Sequence, residues 1–134
     1  MTAVNNHKLA LLYMMRFLLE KTDDDHTLNA SQLISMLEEN GMKADRRTIY
    51  SNIEILQDFG LDVLMAEGNS GGYYIGSREF ELPELKLLVD AVQSSKFITA
   101  KKTQELIGKI ETLTNEQKAR ELNRSVVVIP LKII

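Results

Sequence analysis

The chain contains no cysteine. That removes a disulfide framework, a thiolate zinc site and a cysteine nucleophile together, and it is compatible with a reducing cytoplasm. Histidine is almost as scarce, with only His7 and His26 present. No phosphate-binding glycine motif precedes a helix, and no carboxylate pair falls on opposed elements, so the acid, base and nucleophile roles of an enzyme go unfilled. The expectation is a protein that is not an enzyme and carries no cofactor. Long apolar runs are missing as well. The longest, Leu9–Leu19, contains Arg16 and is too short to span a bilayer. The amino end is not basic ahead of that run and no small-residue cleavage pattern follows it, which argues against a signal peptide. A cytoplasmic protein without a membrane partner is expected.

Positive charge is the third shortage. The 134 residues carry 16 Lys or Arg against 19 Asp or Glu, and the deficit lies in the first part. Residues 1–78 hold seven basic and eleven acidic side chains, a net charge of −4, whereas residues 79–134 hold nine and eight, a net of +1. Attraction to phosphate supplies most non-specific affinity for nucleic acid, so a single copy of the first part would hold DNA weakly unless its basic groups share one face. Lys43, Arg46 and Arg47 do lie close together and far in sequence from the Asp23-Asp24-Asp25 run. The composition otherwise is that of a globular chain, 44% hydrophobic and 26% charged, long enough for one domain or a small domain with an extension.

The most informative stretch is Asp45-Arg46-Arg47-Thr48-Ile49-Tyr50-Ser51-Asn52-Ile53-Glu54-Ile55-Leu56. Asp45 is suited to cap a helix, because its carboxylate can accept from the unpaired amides of the first turn. Ile49, Ile53 and Leu56 recur at i, i+4 and i+7 as one apolar stripe, and Arg47, Tyr50, Ser51 and Glu54 fall on or near the other side. Arginines and short hydroxyl side chains near a helix N-terminus are suited to guanine edges, phosphates and base donors in a major groove. The bland alternative is a solvated surface helix.

Residues 7–21 read as a helix apolar on most sides, with Leu9, Leu12, Met15 or Arg16, and Leu19 offering more hydrophobic surface than one core contact uses. Thr22–Thr27 reads as a solvated, aspartate-rich turn; a metal site is not expected there, because cation-binding loops alternate their ligands. Asn29 is the cap of a helix over 30–40 whose stripe is Leu33, Ile34 and Leu37, and Gly41 ends it. Helix, short turn, helix is the helix-turn-helix arrangement. Residues 61–67 and Tyr73–Ile75 read as two strands joined by Gly68-Asn69-Ser70-Gly71-Gly72. A hairpin placed there is a wing, and with no Lys or Arg at its tip, phosphate contact would fall to backbone amides or to Asn69 and Ser70.

Pro83 opens a helix in which Leu85, Leu88, Val89 and Val92 recur at helical spacing. Thr99 caps another, over 100–113, with Leu106, Ile110 and Leu113 on one side, and a short helix follows over 115–122. These stripes need a surface to cover them. A homodimer interface through Leu85, Leu88, Val92, Leu106 and Ile110 is the economical expectation; packing against the first domain is the other. Residues 125–134 read as an apolar, strand-like tail.

Three segments together, DRRTIYSNIEIL at 45–56, SGGYYI at 70–75 and REFELPELKLLVDAVQSSKFIT at 78–99 followed by KKTQELIGKIETL, resemble the N-terminal part of bacterial WYL-domain transcriptional regulators, which begin with a DeoR-like winged helix-turn-helix. The resemblance covers roughly residues 5–128. It implies a mainly α fold with a small β-hairpin, a winged helix-turn-helix domain over 1–78, a helical linker or dimerisation segment over 79–124, and binding of double-stranded DNA in transcription regulation. The implied DNA-binding residues are Arg46, Arg47, Thr48, Tyr50 and Ser51, to which the reading of the residues adds Lys43, Asn69 and Ser70. Ser51 and Asn52 depart from the arginine and aspartate frequent in that family, so no operator can be transferred. The chain ends where the family's sensor domain would begin, which leaves a naturally short regulator and the remnant of a truncated one both open. Beside these stands a protein-interaction module, since winged domains also serve as protein scaffolds.

Overall fold

The computed structural model describes residues 6–68 and 71–124. The fold is mainly helical with a small two-stranded antiparallel sheet, and the chain divides into two compact units at Ser77 and Arg78. No helix among the described residues is long and apolar enough to cross a membrane.

The first unit is built around α1 (His7–Lys21), which buries Ala10, Met14, Phe17 and Leu18. Apolar surface is left over, as expected: Leu9, Met15 and Leu19 are only partly buried at the margins of that stripe, and Leu12 is exposed. A helix apolar on most sides gives no period from which to choose the buried face, and here α2, α3 and β2 all pack on it. α2 (Ala30–Glu39) starts at Asn29, whose side chain accepts the Gln32 amide at 2.8 Å while Gln32 accepts the Asn29 amide at 2.8 Å. This reciprocal pair satisfies two orphan donors. After α2, Gly41 takes φ +81°, the left-handed conformation that a glycine enters without strain. α3 (Arg46–Phe59) follows within a few residues, and Ile49, Ile53 and Leu56 meet Leu33, Leu37 and Met14 in one core.

β1 (Val63–Met65) and β2 (Tyr73–Ile75) pair with Val63 opposite Ile75 and Met65 opposite Tyr73. β1 is shorter than the expected 61–67. The sheet is held from its other side by contacts that periodicity does not reveal. Leu28 and Tyr73 exchange backbone hydrogen bonds at 2.9 and 2.7 Å. The Thr22 hydroxyl donates to the Leu18 carbonyl at 2.6 Å and accepts the Ile75 amide at 3.0 Å. Gly72 passes so close to Thr27 that a Cβ there would overlap its side chain, so glycine at this position serves close approach. The aspartate-rich turn is less solvated than expected, because Asp23 is buried. Its carboxylate accepts the Asp25 amide at 2.9 Å and lies 2.7 Å from His26 Nδ1. The three aspartates converge to within 4.8 Å of one another, closer than their spacing suggested; Asp23 is nonetheless occupied in shaping the turn.

The second unit consists of α4 (Leu82–Ser94), α5 (Ala100–Glu111) and α6 (Glu116–Arg124). The Glu84 carboxylate accepts the Glu81 amide at 2.8 Å, beside Pro83 in the first turn of α4. Thr99 caps α5 by accepting the Lys102 amide at 3.0 Å, and Asn115 caps α6 by accepting the Lys118 amide at 2.9 Å. Leu85, Val89, Ile107 and Leu122 form the core, flanked by Phe80, Leu82, Val92 and Ile110. On α5 the innermost positions are Thr103 and Ile107 rather than the expected Leu106–Ile110–Leu113 row, and Leu113 is exposed. The three helices themselves therefore cover Leu85 and Val89 and partly cover Val92 and Ile110, while Leu88 and Leu113 stay exposed. The strand-like tail expected over 125–134 lies outside the described residues.

Candidate nucleic-acid interface

The outer face of α3 begins with its cap. The Asp45 carboxylate accepts the Thr48 amide at 2.8 Å and the Thr48 hydroxyl at 2.9 Å. The amide, then the hydroxyl, hold the Asp45 carboxyl below its ordinary value of 3.8, since both favour the charged form. Thr48 is thereby spoken for. It is half-buried and its hydroxyl serves the cap, so its donor is turned toward the helix's own N-terminus and not toward a groove.

Arg46 is also engaged. Its Nη2 donates to the Ser31 hydroxyl at 2.8 Å, tying the first turn of α3 to the first turn of α2. Arg47, Tyr50 and Ser51 are exposed, opposite the buried Ile49, Ile53 and Leu56. Lys43 is exposed in the turn before the cap. Asn52 is buried, and its Nδ2 lies 3.3 Å from Met14 Sδ on α1, a polar contact that fixes the roll of α3. The structure thus brings Lys43, Arg47, Tyr50 and Ser51 to one exposed surface, with Arg46 at its margin. Asn69 and Ser70 lie outside the described residues.

Beside α3 runs an open cleft of about 700 Å³, lined by Ser31, Arg46, Tyr50, Glu54, Met65 and Tyr73 among others. Gln57 fixes its far wall by donating to the Val63 carbonyl at 2.9 Å, which joins α3 to β1. Burial, and secondarily the neighbouring Tyr50, push the Tyr73 phenol above its ordinary value. Met65 is 62% exposed and Tyr50 47% exposed, so the mouth of the cleft is apolar at both sides.

Asp58 on the outer face and Met65 on the cleft wall were not singled out from the sequence. Asp58 was within reach of helical spacing, since Arg47, Ser51, Glu54 and Asp58 follow i, i+4, i+7 and i+11. That row runs from positive to negative along α3. Met65 becomes visible only once the strand pair is placed. The proposed dimerisation residues divide in the second unit: Leu85 is fully buried in its core, Val92, Leu106 and Ile110 are half-buried, and Leu88 is exposed. Leu85 consequently offers no surface to a second copy. Comparison of the chain with protein-family models, with curated proteins and with solved structures returned no match.

Proposed function

We propose that the protein is a sequence-specific double-stranded-DNA-binding regulator of transcription that works as a homodimer, with α2 and α3 as a helix-turn-helix and the β1–β2 pair as its wing. One observation carries the reading. α3 is seated by a buried stripe and a buried Asn52 so that Arg47, Tyr50 and Ser51 stand together on its exposed face near the N-terminal end, the part of a recognition helix that reaches base edges. Arg47 suits guanine or phosphate, Ser51 either base or backbone, and the ring of Tyr50 offers an apolar surface. The Arg46–Ser31 bond supports this by holding the two helices at a fixed relation before any ligand arrives.

The row from Arg47 to Asp58 also predicts how α3 would lie. Its positive N-terminal half points into the groove, and Glu54 and Asp58 tilt away from the phosphates, because a carboxylate near the backbone is repelled. The same two carboxylates favour the second reading, a protein-interaction module whose partner would present basic groups to α3.

Titration of the purified protein against promoter-region DNA at several salt concentrations separates the two. The expected result is a sequence-dependent complex whose log affinity falls with log salt by about 0.9 for each phosphate contacted. Folded protein that retains no DNA at low salt would sink the regulator and leave the interaction module.

A further inference from the structure

The second unit buries one row of α4 and leaves another bare. Leu85 and Val89 are inside, while Leu87 is 69% exposed, Leu88 is 37% exposed, and Phe97, just past the helix, is 92% exposed. Ala91 lies between the leucines and the helix end on the same exposed side, and its small side chain permits close approach of another backbone. Single exposed apolar residues need no explanation. Three large ones within eleven residues of a helix that already has a core are a different matter.

The charges flanking this face decide what fits it. Glu79, Glu81 and Glu84 crowd its N-terminal end, and Lys96, Lys101 and Lys102 its C-terminal end, all exposed. We propose that the Leu87–Leu88–Ala91 face of α4, continued by Phe97, docks against the same face of a second copy of this chain, the two α4 helices running antiparallel about a two-fold axis close to Ala91. That arrangement is isologous, so one patch serves both sides. It places each acidic end over the partner's basic end twice, with Glu84 facing the partner's Lys96. A parallel pairing would set carboxylate on carboxylate and ammonium on ammonium, which is unfavourable. The proposal rests on the reading of the protein as a paired DNA binder, and it turns the interface around α4 from the stripe that the sequence suggested, keeping Leu88 and leaving Leu85 inside.

Sedimentation of the full chain over a range of concentrations, without DNA, gives the test. Wild type is expected to form a dimer, and the Leu87→Asp/Leu88→Asp variant to be monomeric with unchanged helix content and the melting temperature of wild type diluted below its dimer range. Lys96→Glu should weaken the dimer at least several-fold, less at high salt. Because the chain has no cysteine, Ala91→Cys under mild oxidation should give a single disulfide-linked dimer. Wild type that is monomeric throughout overturns the proposal, as does a dimer that survives the double aspartate variant. A dimer that Ala91→Cys does not trap overturns the antiparallel geometry. A variant monomer that loses helix content, or melts below diluted wild type, means the face is covered from within the chain, and also overturns it. A dimer with no affinity for DNA would sink the regulator and leave this interface, whereas salt-sensitive DNA binding by a monomer would do the reverse.

Discussion

The two units spend their apolar residues differently. In the first, helices and sheet close around Met14, Leu18, Leu33, Leu37, Ile49, Ile53, Val63 and Ile75, which approach one another from five elements. In the second, three helices close around only Leu85, Val89, Ile107 and Leu122; both units leave large apolar side chains outside, Leu12, Phe59 and Met65 in the first and Leu87, Phe97 and Leu113 in the second. Burial of apolar surface stabilises by about 25 cal/mol per Å², and small units bury a smaller share of what they have. The first unit has the core of a domain that stands by itself. The second has the smaller core.

Equal truncations in the two cores should therefore have unequal consequences. Leu37→Ala and Leu85→Ala each remove a fully buried side chain and should each cost about 2–5 kcal/mol. The first unit is expected to survive Leu37→Ala with a lowered melting temperature. The second is expected to lose its hydrogen-exchange protection altogether on Leu85→Ala, while amides of α1–α3 remain protected. Uniform loss of protection in either variant would mean that the chain unfolds as one cooperative body, and the contrast between the units would fail.

A smaller effect sharpens the contrast by function. Arg47→Ala should reduce DNA affinity by roughly 1–3 kcal/mol and leave the melting temperature nearly unchanged, since this side chain stands on the face opposite the buried stripe. If unfolding is the main result, the assignment of faces on α3 is wrong. The smallest effect concerns pH. Asp45 has a folded-state pKa below the ordinary 3.8, so its contribution to stability is present above that value and is lost as pH falls through the folded pKa. The gap in melting temperature between wild type and Asp45→Ala should be steady at neutral pH and narrow below about pH 3.8; a gap that stays constant in acid would assign the effect to backbone geometry instead.

What could be read from the sequence was mostly local. Asn29, Asp45 and Thr99 act as caps because a short side chain reaching the third amide along is settled within one turn. The strand Tyr73–Ile75, bounded by glycines, was equally legible. The stripe of α3 is legible because Ile49, Ile53 and Leu56 recur at helical spacing among polar positions. The failures are of another kind. α1 and α5 offered several apolar rows each, and only the neighbours choose among Leu106, Ile107 and Ile110. Thr48 looked like a groove donor until the cap claimed its hydroxyl. Leu28 gave no strand signal, because a single bridged residue has no period to show. At the candidate interface the face of α3 was visible in advance, but the cleft and the Arg46–Ser31 tie depend on contacts between elements remote in sequence.

Strands of three residues are too short to choose their own alignment, and a slip of one position would turn Val63 and Ile75 outward. β2 is instead keyed from behind. Thr22 accepts its Ile75 amide and Leu28 brackets its Tyr73, so two residues of the loop between α1 and α2 fix where the strand sits independently of β1. The sheet's register is thus an instruction written some fifty residues upstream, and a lengthened or shortened α1–α2 loop would misalign the strands without altering a residue in either.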